Sequence, residues 1–331
     1  MNKVIIIDSS SLFVPTVKVY NRQLKDLVDN KRPQLIKEIG EEVKNWSYME
    51  CLKEIEARGW KPFIMMPHQM YFNSLLSCLK KIGVEKNTKI IMALEGHSFR
   101  KDFLLAYKSH RQDQRDADEC VDWKVEFGRC NKLHNQLDEA TNWYFIREWE
   151  NSEADDICSV SVRFFQNSEV VIITGDKDLH QLLFYPNVKI FNTNKKVNGS
   201  KGVYETTVTN PLKIISDKVR LGDRSDGILV NKETDTPEDA ELREFLINLL
   251  ELPEFVEKPI IEKLKNLKPK EENLDLLPFR NSKEKFLKIY EKDKVISYEY
   301  CEKLQEKRKV KKAQKAKEKR ELKKRRKECE K

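Results

Sequence analysis

The chain has 331 residues, of which 39% are hydrophobic, 9% aromatic and 36% charged. This composition can bury the core of one large or two modest domains, and it is too charged for a membrane protein. The apolar runs are only strand-sized and no signal-peptide pattern is present, so we expect a cytoplasmic protein. The seven Cys residues form no CxxC pair, which argues against a disulfide framework and against a zinc site.

The net charge of +8 comes from the end of the chain. Residues 302–331 contain 16 Lys/Arg and 6 Asp/Glu, a net charge of +10, so the rest of the chain carries about −2. A basic tail at 301–331, either a solvated helix or a disordered segment, attracts polyanions without reading their sequence. We expect deletion of 302–331 to weaken nucleic-acid binding and to flatten its salt dependence.

Apolar β-branched runs alternate with helical periodicity along the chain, beginning with a buried strand at 3–7 and a polar turn at 8–11. This alternation predicts an α/β protein with a mostly parallel central sheet and helices on both faces. A polar stretch at 231–239 precedes a small helical C-terminal region. Further strands are expected at 89–94, 143–146, 170–174 and 187–191, and helices at 48–58, 71–82, 153–165 (capped by Asn151 or Ser152), 242–250 and 256–267.

Three predicted strands each end in an acidic residue: Asp8, Glu95 and Asp176. Parallel strands deliver their carboxyl ends to one edge of the sheet, where binding sites gather. A single acid after a strand is an ordinary turn or capping residue. Three together indicate a shared acidic cleft.

More acids follow in the sequence. Glu153, Asp155 and Asp156 lie at the start of a predicted helix, where the helix dipole also favours them, and Asp178 lies two residues after Asp176. Oxygen ligands without His or Cys suit Mg²⁺ or Mn²⁺, and paired ions of this kind suit phosphodiester hydrolysis. The residues alone therefore suggest a metal-dependent nuclease. A further pair, Asp223 and Asp226, has the spacing of one helical turn.

The segment 99–115 supplies cations at roughly helical spacing, which could hold a scissile phosphate. Its aromatic residues Phe103 and Tyr107 could stack on a base, or could lie in the core of an amphipathic helix. The cations are Arg100, Lys101, Lys108, Arg111 and Arg115.

Taken in order, these segments resemble the flap endonuclease and 5′-nuclease family, in particular its phage ribonuclease H members. The resemblance covers about residues 1–230. It is specific because five motifs occur in the expected order. The matching segments are 5–8; 99–100 with 107–108 and 111; 153–156; 173–179 with 181–182; and 222–227.

The resemblance implies a PIN-like catalytic domain at 1–230 with a helical arch near 98–142, and a DNA-binding helical region at 231–300. It implies two divalent ions, Mg²⁺ or in its place Mn²⁺. Lys108 and Arg111 would contact the phosphate as catalytic cations, with Arg100 at the arch base and with Lys101 and Arg115 adding nucleic-acid contacts. The first ion would be surrounded by Asp8, Glu95, Glu153, Asp155 and Asp176, and the second by Asp178, Asp223 and Asp226, with Asp156 behind them.

Members of this family cut 5′-ended strands at branched or nicked DNA, and phage members remove RNA primers from RNA–DNA hybrids in lagging-strand replication. The resemblance therefore implies such substrates, a monomer without a membrane, and a phage single-stranded-DNA-binding protein or sliding clamp as a partner in the bacterial host cytoplasm. Two alternatives are a PIN-type ribonuclease acting on single-stranded RNA and a non-catalytic module that binds branched DNA.

Three features depart from the family pattern. Glu95 stands where Asp is usual, the segment 228–234 lacks the glycine-rich hairpin that binds duplex DNA, and residues 14–70 are long for the family.

Overall fold

The computed structural model describes residues 2–314, except for 198–199, 206–209, 232, 292–294, 308 and 311–312. Its centre is a six-stranded sheet in the order β3-β2-β1-β4-β5-β6. All neighbouring strands are parallel except β6, which is antiparallel to β5. The strands are β1 (Lys3–Asp8), β2 (Lys89–Leu94), β3 (Tyr144–Arg147), β4 (Glu169–Thr174), β5 (Val188–Val197) and β6 (Ser200–Tyr204).

The sheet is buried on both faces. Val4 and Ile6 of β1 point into one apolar cluster, whereas Ile5 and Ile7 point into another. A strand covered on both sides has a continuous apolar sequence, as β1 does. The helices are α1 (Ser9–Ile39), α2 (Tyr48–Ala57), α3 (Pro67–Ile82), α4 (Arg100–Phe103), α5 (His110–Asp116), α6 (Trp123–Ala140), α7 (Ala154–Phe164), α8 (Pro211–Leu221), α9 (Pro237–Ile247), α10 (Glu254–Lys265) and α11 (Ser282–Leu287).

Helices cover both faces of the sheet, so the predicted fold class is confirmed. The cluster around Ile5 receives α1, α3, α6 and α11, and the cluster around Val4 receives α7 and α10. The C-terminal region is helical, and its Ile260 and Phe286 are buried on opposite faces of the sheet. Its role in DNA binding stays a prediction.

The expected polar turn at 8–11 is wrong, because α1 begins directly at Ser9. Asp8 caps this helix by accepting a hydrogen bond from the Ser11 amide at 3.2 Å. The long segment at 14–70 is helical, comprising the rest of α1, a 3₁₀ helix at Glu41–Asn45 and α2. It has its own apolar cluster, which includes Val28, Leu35 and Ile55, so it is an added helical layer.

Three other local expectations change in the structure. The cap of α7 is Glu153 in a capping box with Asp156, and not Asn151 or Ser152. Arg100 and Lys101 lie on the short helix α4, Arg111 and Arg115 on α5, and Lys108 in the turn between them. Asp223 and Asp226 lie in a tight turn closed by the bridge between Asp223 and Ile228, not on a helix.

Most of the basic tail predicted at 301–331 lies outside the described residues. Its first part, up to 307, is helical, and Cys301 packs in the apolar cluster around Ile5. Among the described helices, none combines the length and the apolar character needed to cross a bilayer.

Candidate active site

The strand-end acids meet at one edge of the sheet. The register pairs Asp8 with Ala93 of β2, so Asp8 and Glu95 lie side by side. The Ser10 hydroxyl lies 3.1 Å from Asp8 Oδ1 and 2.6 Å from Glu95 Oε1 and bridges the two carboxylates. Thr174 donates to Asp8 at 2.8 Å and accepts from the Asp176 amide at 2.9 Å. Hydroxyl groups thus hold the three acids in a fixed arrangement.

The first turn of α7 brings Asp155 to the same edge. Burial together with the negative charges of Asp176 and Asp8 raises the pKa of Asp155 well above its ordinary value. The pKa of Asp8 is raised by burial and by Asp176, and that of Glu95 by desolvation in the cleft and by Glu153. This group of carboxylates therefore carries more negative charge than its surroundings balance.

A second acidic group lies beside the first. One oxygen each of Asp178, Asp223 and Asp226 lies within 4.8 Å of the others, the only trio of this spacing in the described part of the chain. Lys218 of α8 forms ion pairs with both Asp178 and Asp223. Burial and Asp176 raise the pKa of Asp178 to about 6 although Lys218 opposes the shift. Burial would raise the pKa of Asp223, but its contacts with Lys218 and Ser225 together outweigh burial and lower it.

Glu153 connects the second group to the segment between α4 and α5. It receives hydrogen bonds from Tyr107 at 2.7 Å and from Lys108 at 2.7 Å. Burial alone would raise the pKa of Glu153, but Lys108 and Arg100 outweigh it and lower the pKa to about 2. Glu153 therefore stays ionised, and its negative charge is already balanced by Lys108 and Arg100.

The same segment rests directly on the Asp223–Asp226 turn. The Lys108 amide donates to the Asp226 carbonyl at 2.8 Å, and Arg111 donates to the Asp226 carboxylate at 2.7 Å. Gly227 has φ +75°, and a Cβ there would lie 2.4 Å from the Ala106 carbonyl oxygen. Only glycine allows this approach.

A cleft of about 540 Å³ opens between these short helices and the acidic edge. Glu95 and Glu153 line one side. Four of the five predicted nucleic-acid contacts line the cleft as well, namely Lys101, Lys108, Arg111 and Arg115. The structure thus places cations and carboxylates together in the lining of one cavity, where Lys108 and Glu153 are in direct contact.

Arg100, the fifth predicted contact, does not face this cleft. Its guanidinium is 3% exposed, pairs with Asp156 and donates to the Leu246 carbonyl at 2.7 Å. Asp156 is fully buried and also accepts from the Glu153 amide at 2.9 Å. The prediction of a phosphate contact for Arg100 is therefore corrected, because its guanidinium is buried and paired with Asp156. Asp156 lies behind the other acids, where it was expected, and its carboxylate is bonded to Arg100 and to the Glu153 amide.

The two aromatic residues that could stack on a base make other contacts in the structure. Tyr107 is buried, and its hydroxyl lies 3.2 Å from Asp226 besides contacting Glu153. Phe103 is half exposed and packs edge-on against Phe245, with ring centroids 5.0 Å apart. Tyr107 is not available to a base.

Sequence reasoning missed Ser10, Thr174 and Lys218. Ser10 and Thr174 are single hydroxyls beside motif acids and carry no distinctive pattern. Lys218 lies five residues before Asp223, which is a visible signal, but its contact with Asp178 depends on how α8 packs.

The residues fit divalent cations. The donor set consists of carboxylate oxygens, which hard ions prefer, and the oxygens of Asp178, Asp223 and Asp226 lie close enough together to share one ion. Gly96 supports the geometry at Glu95, because a Cβ there would lie 1.8 Å from the Glu148 carbonyl oxygen.

The chain is similar to several known proteins. Residues 65–208 match the family model of the 5′-3′ exonuclease N-terminal, resolvase-like domain. These residues form a domain of the 5′-nuclease family.

Two curated relatives share sequence with this chain. Ribonuclease H of Enterobacteria phage T4 is 30% identical over 131 residues, which cover 38% of this chain and 42% of the relative. The 5′-3′ exonuclease of Mycoplasmopsis pulmonis (strain UAB CTIP) is 27% identical over 162 residues, 48% of this chain and 50% of the relative. The matches span about half the length of these relatives.

Two solved structures of low sequence identity were also matched by this chain. The bacteriophage T5 flap endonuclease in a complex with DNA and metal ions is 16% identical, with 91% of each chain covered and a TM-score of 0.40. The T5 5′-exonuclease with bound zinc is 16% identical, with 88% of this chain and all of the other covered and a TM-score of 0.40.

Proposed function

We propose that this protein is a divalent-metal-dependent 5′ nuclease that hydrolyses phosphodiester bonds with two Mg²⁺ ions, for which Mn²⁺ can substitute. The single observation that carries the proposal is the cleft of about 540 Å³ whose lining combines Lys101, Lys108, Arg111 and Arg115 with the carboxylates of Glu95 and Glu153. A nuclease needs cations for the phosphate and oxygen ligands for its metal in one cavity.

The acids would divide between the two ions. Bound divalent ions supply activation of the attacking water and neutralisation of the charge that develops on the phosphate. Ser10 and Thr174 orient the carboxylates, and Glu153 holds Lys108 at the cleft. The first ion would be held by Asp8, Glu95, Asp155 and Asp176 with Glu153 nearby, and the second by Asp178, Asp223 and Asp226.

The side chains of the arch would position the substrate. Lys108 and Arg111 would bind the scissile phosphate and stabilise its developing charge, and Lys101 and Arg115 would bind neighbouring phosphates. Arg115 already packs over the rings of Trp123 and Phe127, which fixes its direction. Lys101 is exposed and free to follow the backbone of the strand.

The proposed substrates are 5′-ended strands on branched or nicked DNA and on RNA–DNA hybrids. The similarity to the phage enzyme named ribonuclease H favours removal of RNA primers during phage lagging-strand replication, by a monomer in the bacterial host cytoplasm. A phage single-stranded-DNA-binding protein or sliding clamp would be the protein partner.

The test compares a 5′-labelled flap with a nicked duplex that carries a 5′ RNA segment. Each substrate is incubated with the wild-type protein in Mg²⁺, with the wild-type protein in EDTA, and with the Asp155→Asn variant in Mg²⁺. A matched control is Asp138→Asn, because Asp138 pairs with Lys270 on the surface of α6. We expect metal-dependent cleavage near the 5′ end that EDTA and Asp155→Asn abolish and Asp138→Asn retains.

The ratio of the two cleavage rates separates flap processing from primer removal. Tight binding to the branched substrate without cleavage in Mg²⁺ or Mn²⁺ would instead show a non-catalytic module. Cleavage of single-stranded RNA without preference for a 5′ end would show a PIN-type ribonuclease.

A further inference from the structure

A second cleft, of about 520 Å³, lies between the C-terminal half of α3 and the residues Lys285, Lys288 and Ile296. Its floor is aliphatic, formed in part by Leu76 and Ile296. We call it the lysine cleft, because its rim carries Lys80, Lys81, Lys285 and Lys288.

Main-chain and side-chain contacts hold the two walls together. The Ile296 amide donates to the Lys81 carbonyl at 2.7 Å, and Lys285 donates to the Asn73 side chain at 3.2 Å. The cleft is therefore built by packing between distant parts of the sequence and is not a gap beside a loose loop.

The lysine cleft lies at the opposite edge of the sheet from the catalytic acids. Lys3, at the start of β1, donates to the carbonyls of Ile82 and Gly83 at the end of α3, at 3.1 and 3.0 Å. Asp8 is at the other end of that strand, and a six-residue strand is about 20 Å long. An occupant of the lysine cleft would leave the catalytic cleft open.

The charge around the cleft is positive. Of its four lysines, Lys80 pairs with Glu291 and Lys288 with Glu284, so two positive charges are not offset by these pairs. Lys81 donates to the Lys201 carbonyl, and burial lowers its pKa, so a carboxylate beside it would favour the charged ammonium. The chain then leads from Ile296 towards the segment with a net charge of +10 at 302–331.

We propose that the lysine cleft docks an acidic peptide segment of a partner protein, with carboxylates on the lysine rim and an aliphatic side chain on the floor. The combination of an aliphatic floor and a cationic rim complements a peptide that is both acidic and apolar. Nucleic acid fits less well, because the described lining residues include no aromatic ring on which a base could stack. This docking site is separate from the nuclease activity proposed above.

The experiment measures binding of a fluorescein-labelled peptide of alternating Asp and Leu to the full chain by fluorescence anisotropy. The test variant is Lys285→Glu with Lys288→Glu. The matched control is Lys270→Glu with Lys283→Glu, which reverses the same charge at lysines paired elsewhere with Asp138 and Asp275. We expect about tenfold weaker binding in the test variant and unchanged binding in the control.

Three results would overturn the proposal. Equal losses of peptide affinity in both variants would show a general charge effect, to which the basic tail would contribute. Undiminished binding of a peptide with Ser in place of Leu would show that the floor is not used. A selective loss of oligonucleotide binding in the test variant, with peptide binding kept, would make the cleft a nucleic-acid surface. Cleavage of the 5′ flap in Mg²⁺, retained by both variants, shows that they are folded, and its absence from the wild type would bear only on the proposed function.

Discussion

Arg100 and Asp156 form a bidentate ion pair in which both side chains are buried, with Nη1 3.0 Å from Oδ2 and Nη2 2.8 Å from Oδ1. Both residues belong to motifs that sequence reasoning assigned to substrate and metal. Their pairing instead joins α4 to the first turn of α7, which carries Glu153 and Asp155. The pair therefore fixes α4 relative to the acidic edge.

Replacing Arg100 by Met should destabilise the protein by about 3–5 kcal/mol, because it leaves Asp156 buried without a counter-charge. Urea unfolding in EDTA measures the change. Lys101→Met is the matched control: this neighbouring side chain is exposed, and we expect a change within about 0.5 kcal/mol. An Arg100 variant as stable as the control would contradict the structural role.

Asp155→Asn should lower cleavage at least about a hundredfold and raise the melting temperature of the metal-free protein. Asp155 lies among Asp8 and Asp176, so removing its charge relieves repulsion of on the order of 1 kcal/mol. Differential scanning fluorimetry in EDTA and with Mg²⁺ separates the two effects. If Asp155→Asn melts at a lower temperature than the wild type in EDTA, charge repulsion does not dominate at position 155.

Lys218→Met should increase the affinity for Mn²⁺, because Lys218 and a divalent ion compete for the oxygens of Asp178 and Asp223. We expect about a tenfold increase by isothermal titration calorimetry. Lys213→Met on the exposed side of α8 is the control and should change nothing. Weaker metal binding in Lys218→Met would mean that Lys218 supports the ion site.

Truncation after Val310 should weaken DNA binding and reduce its salt dependence, while Mn²⁺ binding stays unchanged. This truncation keeps the helical part of the tail that is anchored by Gln305, which donates to the Tyr204 carbonyl at 3.1 Å. Each lost phosphate contact lowers the slope of log K against log salt by about 0.9. An unchanged slope would show that the tail does not contact the nucleic acid.

The free energy of unfolding should fall as the pH is lowered, because His134 is buried in its neutral form. Burial lowers its pKa from 6.5 to about 3, so between these values the unfolded chain binds a proton that the folded chain does not. Stability is thus fully present above pH 6.5 and is lost as the pH falls through this window. From pH 7 to pH 5 the loss amounts to about 2 kcal/mol.

The measurement is urea unfolding at the two pH values in wild type, His134→Gln and His97→Gln. His134→Gln should show a smaller loss than the wild type. His97 has an exposed side chain, so its variant should follow the wild type. Equal losses in all three proteins would exclude His134 as the cause.

The sequence by itself determined the sheet and most of the acids at its edge. A strand buried on both faces, such as β1, must be apolar throughout, and the residue that follows it in a parallel sheet comes to the functional edge. Both signals are local, so the order of residues along the chain is enough to place Asp8, Glu95 and Asp176 together.

Only the tertiary structure decided which charged residues face the cleft and which face each other. Arg100 and Lys101 are neighbours in one motif, yet one is buried against Asp156 and the other lines the cavity. The contact of Lys218 with Asp178 and the fold of the segment 14–70 likewise depend on packing between distant parts of the chain. Side-chain pairing is set by the three-dimensional approach of helices, which no spacing along the sequence encodes.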